Sequence, residues 1–228
     1  MDRLVLWDVD GTLLAAGEIG AAVFDRAIEA ALGVRADLRV RMSGKTDPQI
    51  VAETLDLLGV DHGPEQIELV LEHLHQQLAA AEEVLRRAGR VLPGVEALLA
   101  RLHGEPRVHQ TLLTGNIAPN ALVKVGAFGL DRWLRLDIGA YGSDHADRRE
   151  LVPVALERAA RAGLAVDRSA TWIVGDAAND LACARAGGVR CLLVGTGRTP
   201  VEELAALEPD AVLPDLSEVE AVAAILCR

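Results

Sequence analysis

The 228-residue chain holds only three cysteines and two lysines. Cys183, Cys191 and Cys227 form no CxxC pair, and the odd count leaves one over. That argues against a disulfide framework and fits a reducing cytoplasm. His73 and His75, two apart on a helical pattern with no cysteine nearby, make a poor zinc site. Basic residues are scarce as well: 23 Lys plus Arg stand against 34 Asp plus Glu, a net charge of -11. That balance argues against a nucleic-acid surface or a basic membrane-binding patch. No apolar run reaches membrane-spanning length. The first one breaks at Asp8, so there is no signal-type segment behind a charged head. Internal repeats and low-complexity tracts are absent. The expected protein is cytoplasmic, a monomer or homodimer whose partner is a small molecule.

What is present is enough for a real core. Half of the residues are apolar, which suits one large domain or a core plus a small module. Leu4-Val5-Leu6-Trp7 reads as a buried strand, closed by a turn at Gly11. Helical patterns follow over Glu18–Leu32, Pro48–Leu58 (with Asp47 as N-cap) and Glu65–Ala88, the last stopped by Gly89. A polar loop, Arg39–Thr46, lies between the first two. From Val91 onward helices and strands alternate. The helices are Val95–Leu102, Ala118–Val125, Arg149–Ala162, Ala178–Ala186, Pro200–Leu207 and Ser217–Leu226. The strands are Val108–Leu113, a weaker Leu134–Ile138, Ala170–Val174, Arg190–Val194 and Ala211–Leu213. Such alternation predicts an α/β fold: a Rossmann-like, mostly parallel sheet with helices on both faces. Residues 1–14 and 90–228 form that core, and residues 15–89 an inserted all-helical cap. Trp7, Trp133 and Trp172 are isolated and read as core packing.

The most informative stretch is Asp8-Val9-Asp10-Gly11-Thr12-Leu13. It places two carboxylates at the C-terminal tip of a strand, the edge of an open α/β sheet where ligands bind. On a regular strand Asp8 and Asp10 would face opposite ways. The turn at Gly11 lets Asp10 bend back, so that one carboxylate can attack while the other manages a proton. Two further strand ends carry polar groups: Thr114-Gly115-Asn116 after Leu112-Leu113, and Gly175-Asp176-Ala177-Ala178-Asn179-Asp180 after the strand ending at Val174.

In this order, these motifs resemble the haloacid dehalogenase-like (HAD) hydrolases, and specifically their helical-cap phosphatases of the phosphoglycolate phosphatase and β-phosphoglucomutase type. The resemblance covers essentially the whole chain. It implies Asp8 as nucleophile, forming an aspartyl phosphate, and Asp10 as the acid that later acts as base. It implies that Thr114, with Gly115 and Asn116, binds phosphate oxygens. It also implies a Mg²⁺ cofactor held by Asp8, the Asp10 backbone carbonyl and Asp176, with Asp180 a helical turn on. Asp180 also suits a helix cap.

The third motif departs from the family pattern. Many relatives carry a Lys-Pro dipeptide there, whereas this chain reads Ser143 to Leu151 without a lysine. A cation is still needed beside Asp8 and a phosphoryl dianion. Arg148 is the favoured candidate and Arg149 the alternative. Lys124 is a poorer one, because its helix position reads as a solvated face. In the cap, Ser43-Gly44-Lys45-Thr46-Asp47 matches a glycine-plus-basic loop, which implies substrate contact by Lys45. The expected activity is a Mg²⁺-dependent phosphatase acting on a small phosphorylated metabolite, phosphoglycolate-like for example. A β-phosphoglucomutase-like phosphomutase and an inactive HAD-fold binding protein are the alternatives. A dehalogenase needs no acid at Asp10, and a phosphonatase needs a Schiff-base lysine for which only Lys45 is available.

Overall fold

A computed structural model describes residues 2–17, 19–36 and 40–227. Glu18 and Arg39, the expected starts of the first helix and of the polar loop, lie outside them. The chain opens with β1 (Asp2–Trp7) and β2 (Leu14–Ala15). Four helices follow: α1 (Ile19–Leu32), α2 (Asp47–Leu57), α3 (Pro64–Ala80) and α4 (Glu82–Ala88). Then come β3 (Arg90–Val91), α5 (Val95–His103), β4 (Val108–Thr114), α6 (Ala118–Ala127) and β5 (Ala140–Tyr141). The series continues through α7 (Leu151–Arg161), β6 (Val166–Gly175), α8 (Ala178–Gly187) and β7 (Arg190–Val194). It ends with α9 (Val201–Ala205), β8 (Ala211–Leu213) and α10 (Val219–Leu226).

Six strands form one sheet in the order β5-β4-β1-β6-β7-β8, and every pairing in it is parallel. Such a sheet is covered on both faces, and β1 shows how. Val5 and Trp7 join the core under α5 and α10, whereas Leu4 and Leu6 join the core under α7 and α8. Fully burying each such side chain is worth about 1.5–3 kcal/mol. After β1 the chain moves outward to β4 and β5, then returns to the other side of β1 as β6. That reversal of order places a crevice at the C-terminal ends of β1, β4 and β6. Helices α1 to α4 share a separate apolar core that includes Ile28, Val51, Leu55, Leu74, Leu78 and Leu85. The short antiparallel pair β2–β3 joins the two ends of this helical block.

Some elements differ from their sequence reading. The pattern over Glu65–Ala88 is two helices, with Ala81 between them. No Gly or Pro marks the break, but Glu82 and Glu83 open a new first turn and Arg86 and Arg87 close its last. These charges complement a fresh helix dipole. Leu134–Ile138 is not a strand: Leu136–Ile138 is a 3₁₀ turn, and the strand is Ala140–Tyr141. The polar groups of that turn are held from the side, by Thr111 Oγ1 donating to the Arg135 carbonyl (2.6 Å) and the Tyr141 hydroxyl to the Leu136 carbonyl (2.8 Å). The N-cap of α2 is Thr46 rather than Asp47. Helix α7 begins at Leu151, after a 3₁₀ turn over Arg148–Glu150 capped by Asp147.

Candidate active site

Asp8 follows β1 with the parity of Leu4 and Leu6, so it faces the α7–α8 side. There the Arg148 Nη2 donates to Asp8 Oδ1 at 2.9 Å and also to Asp180 Oδ1. All three side chains are buried. The 3₁₀ turn before α7 makes this reach possible: it turns Arg148 inward and leaves Arg149 outside, paired with Asp147 at 2.6 Å. Asp180 uses its other oxygen to accept from the Ala177 N–H at 3.0 Å. It therefore caps α8 and anchors Arg148 at once.

Asp176 directly follows β6 and accepts from the Thr12 hydroxyl at 3.4 Å. Gly11, at φ +92°, turns the chain across it, and a Cβ there would lie 2.6 Å from Asp176 Oδ2. Asp8, Asp176 and Asp180 each bring a carboxylate oxygen within 4.8 Å of the others. Burial first, then the neighbouring Asp180 and Asp10 charges, push the Asp8 carboxyl up to about 7, although Arg148 opposes the shift. Burial and the Asp8 charge push Asp176 up to about 8. Arg148 goes the other way: burial disfavours its charge, but Asp180 and Asp8 outweigh that and raise it. A cluster of hard oxygen donors with excess negative charge fits a divalent cation such as Mg²⁺.

Asp10 has different partners. Its Oδ2 accepts from Asn116 Nδ2 at 2.8 Å and from Lys124 Nζ at 2.6 Å. Asn116 Nδ2 also donates to Thr114 Oγ1 at 2.8 Å, and Asn116 Oδ1 accepts from Lys124 at 2.6 Å. Thr114 accepts from the Asn116 backbone N–H too, at 3.3 Å. Both bonds leave its own O–H to donate. Lys124, read from sequence as a solvated residue, is buried inside this network. A signal for it was present. Asn120 and Lys124 are four apart on an otherwise apolar helix, so they share a face, and that helix starts at the tip of β4.

The helical block meets this edge through residues 44–47. The Asp47 N–H donates to the Gly115 carbonyl at 2.7 Å, and Asp47 Oδ2 accepts from the Ile117 N–H at 2.8 Å. Asn179 Nδ2 donates to the Gly44 carbonyl at 3.0 Å, and the Thr46 hydroxyl to the Ala146 carbonyl at 2.5 Å. Gly115 permits this approach, because a Cβ there would lie 1.9 Å from the Lys45 carbonyl oxygen. The Lys45 ammonium pairs with Glu53 on α2.

Strand-tip carboxylates, a buried arginine and an acidic triad thus lie together at the C-terminal edge of a parallel sheet. Residues 148–219 match the HAD-hydrolase-like family model. Over its whole length the chain is 28% identical to the probable phosphatase IndB of Dickeya dadantii, of which it covers 96%. Its fold is similar to that of CbbY from Rhodobacter sphaeroides in complex with phosphate, at TM-score 0.73 and 22% identity over 96% of both chains. It is also similar to a predicted phosphoglycolate phosphatase from Haemophilus somnus, at TM-score 0.67 and 16% identity over 97% of this chain and 98% of that one. These likenesses mark the chain as an enzyme of the phosphoric monoester hydrolase type, similar over residues 148–219 to the HAD-like hydrolases.

Proposed function

We propose that the chain is a Mg²⁺-dependent phosphatase that hydrolyses a small, phosphoglycolate-like phosphomonoester through an aspartyl phosphate. The observation that carries this reading is the placement of Arg148 between Asp8 and Asp180. It aims the Asp8 carboxylate and supplies a fixed cation beside the position of a transferring phosphoryl group. Asp8 is the nucleophile. Asp10 gives a proton to the leaving oxygen and later takes one from the attacking water. The Thr114 hydroxyl and the backbone at Gly115 and Asn116 hold phosphate oxygens. Asp8, Asp176 and the Asp10 carbonyl would hold the Mg²⁺, with Asp180 behind them; when bound it neutralises phosphate charge so that a carboxylate can approach. Residues 15–89 act as the cap, and Lys45 meets a second polar group of the substrate. CbbY, similar in fold, has been crystallised with phosphate and, as a mutant, with xylulose-(1,5)bisphosphate, which supports a small phosphorylated partner.

The test is a panel of phosphorylated metabolites assayed for phosphate release with Mg²⁺ and with chelator. Wild type should release phosphate from at least one of them, only with Mg²⁺. Asp8→Asn should stay folded and release none. Steady hydrolysis by a well-folded Asp8→Asn protein would exclude the covalent route.

A further inference from the structure

Lys124 is one of two lysines in the chain and is buried. Burying an ammonium is costly unless it is paired and hydrogen-bonded, so its partners indicate its purpose. Nζ donates to Asp10 Oδ2 and to Asn116 Oδ1, both at 2.6 Å. Asn116 donates to the same Asp10 oxygen at 2.8 Å. One oxygen of Asp10 is thus held by two donors, one of them charged, although its side chain is 41% exposed. A half-exposed aspartate in a loop would otherwise change rotamer freely. The same amide also binds Thr114, so the acid/base and the phosphate-binding hydroxyl share one support.

The cap loop borders this support. Asp47 is buried, bonds to the Ile117 N–H at the start of α6 and feels the Lys124 charge. Lys124 therefore lies between the acid/base of the core and a carboxylate that the cap delivers.

We propose that Lys124 is a positioning residue for the proton transfer: with Asn116 it fixes Asp10 Oδ2 and leaves Oδ1 to exchange the proton. This rests on the phosphatase reading. In the first step the Asp8–phosphorus bond forms and the ester P–O bond breaks. The electron pair left on the ester oxygen takes the proton from Asp10. The need for that proton grows as the leaving group becomes more basic. A misplaced Asp10 must therefore harm an alkyl phosphate far more than an aryl phosphate with a stable leaving anion.

The experiment compares kcat/KM for p-nitrophenyl phosphate with that for the alkyl phosphomonoester wild type hydrolyses fastest, both with Mg²⁺. Lys124→Met should lose about 10²-fold on the alkyl ester, within the usual range for general acid catalysis, and far less on p-nitrophenyl phosphate. Lys124→Arg, which keeps a donor and the charge, should recover part of the alkyl activity. Should Lys124→Met fail to fold, Lys124→Gln, which keeps a polar head but no charge, makes the same comparison. Equal losses on both esters would overturn the proposal and leave Lys124 a structural ion pair. A wild type inert toward both esters would instead overturn the phosphatase reading, and this proposal with it.

Discussion

Arg148 lies 2.9 Å from Asp8, although 140 residues separate them in the chain. The contact joins the tip of β1 to the turn before α7. It gives Asp8, the proposed nucleophile, a cation that never titrates in the working range, and it is nearly closed to solvent.

Removing that cation should be felt twice. Arg148→Ala should lower kcat/KM by about 10²–10³-fold, the scale of losing one preorganised electrostatic donor. It should also destabilise the protein by about 3–5 kcal/mol, because Asp8 and Asp180 are left buried without their partner. Arg149→Ala should stay within about twofold of wild type, since Arg149 is exposed and pairs only with Asp147 among the bonds described for its side chain. Kinetics and urea unfolding of the two variants check both statements, and equal effects would remove the special role of Arg148.

The acidic cluster predicts a pH-dependent metal effect on stability. Ligating carboxylates must be ionised, and Asp8 and Asp176 sit at about 7 and about 8 without a metal. Mg²⁺ should therefore raise Tm, and more so at pH 8 than at pH 6. At a concentration near 100 times Kd the stabilisation is about 2.7 kcal/mol. A thermal scan with Mg²⁺ and with chelator at both pH values decides this. A Tm unmoved by Mg²⁺ at pH 8 would argue against a metal at these residues.

Gly115 should not tolerate a side chain. A Cβ would meet the Lys45 carbonyl oxygen at 1.9 Å, so the loop at residues 44–47 would have to retreat and the Asp47–Gly115 bond would break. Gly115→Ala should cost at least about tenfold in kcat/KM, on the scale of a misplaced reaction geometry. The sheet should remain folded by circular dichroism. Wild-type kinetics in this variant would show that the contact between Gly115 and residues 45–47 is not needed for turnover.

Much of this was legible in the sequence. The parallel sheet follows from repeated strand–helix alternation, and the strand-tip carboxylates from an apolar run that stops at Asp8. The orientation of Arg148 and Arg149 was not. Adjacent residues face different ways, and the partners that hold Arg149 outside, on Asp147, and Arg148 inside, on Asp8 and Asp180, are not visible in the local pattern. Lys124 was hidden for a related reason. A single lysine in Ala121-Leu122-Val123-Lys124-Val125 reads as the wet side of a helix. Its partners, half-exposed Asp10 and buried Asn116, come from other strand ends; the Asn120–Lys124 spacing shows that Lys124 shares a polar face of the helix, but not what that face meets. The break at Ala81 has no helix breaker to mark it. The weak strand at Leu134–Ile138 fails because side-chain bonds from Thr111 and Tyr141 replace the ladder.

Asp47 should make the protein less stable as pH rises. Burial, the main cause, pushes its carboxyl from the ordinary 3.8 up to about 6, against the opposing pull of Lys124 and the Ile117 N–H, with Asp10 adding to the rise. Below about pH 4 the group is protonated whether the chain is folded or not. Between about 4 and 6 the folded protein keeps a proton that the unfolded chain has released. The folded state then binds more protons, so stability falls as pH rises through this window, and the deficit is constant above it. Two pKa units correspond to a deficit on the order of 3 kcal/mol. Asp47→Asn keeps an oxygen to accept from the Ile117 N–H but carries no titrating group. It should match wild type near pH 4 and exceed it in stability above pH 6. Asp8 and Asp176 titrate in both proteins, so the difference between them isolates Asp47. Urea unfolding of the two proteins from pH 4 to pH 8, with chelator throughout, measures that difference; a flat one would mean that Asp47 ionises as readily in the folded protein as in the unfolded chain.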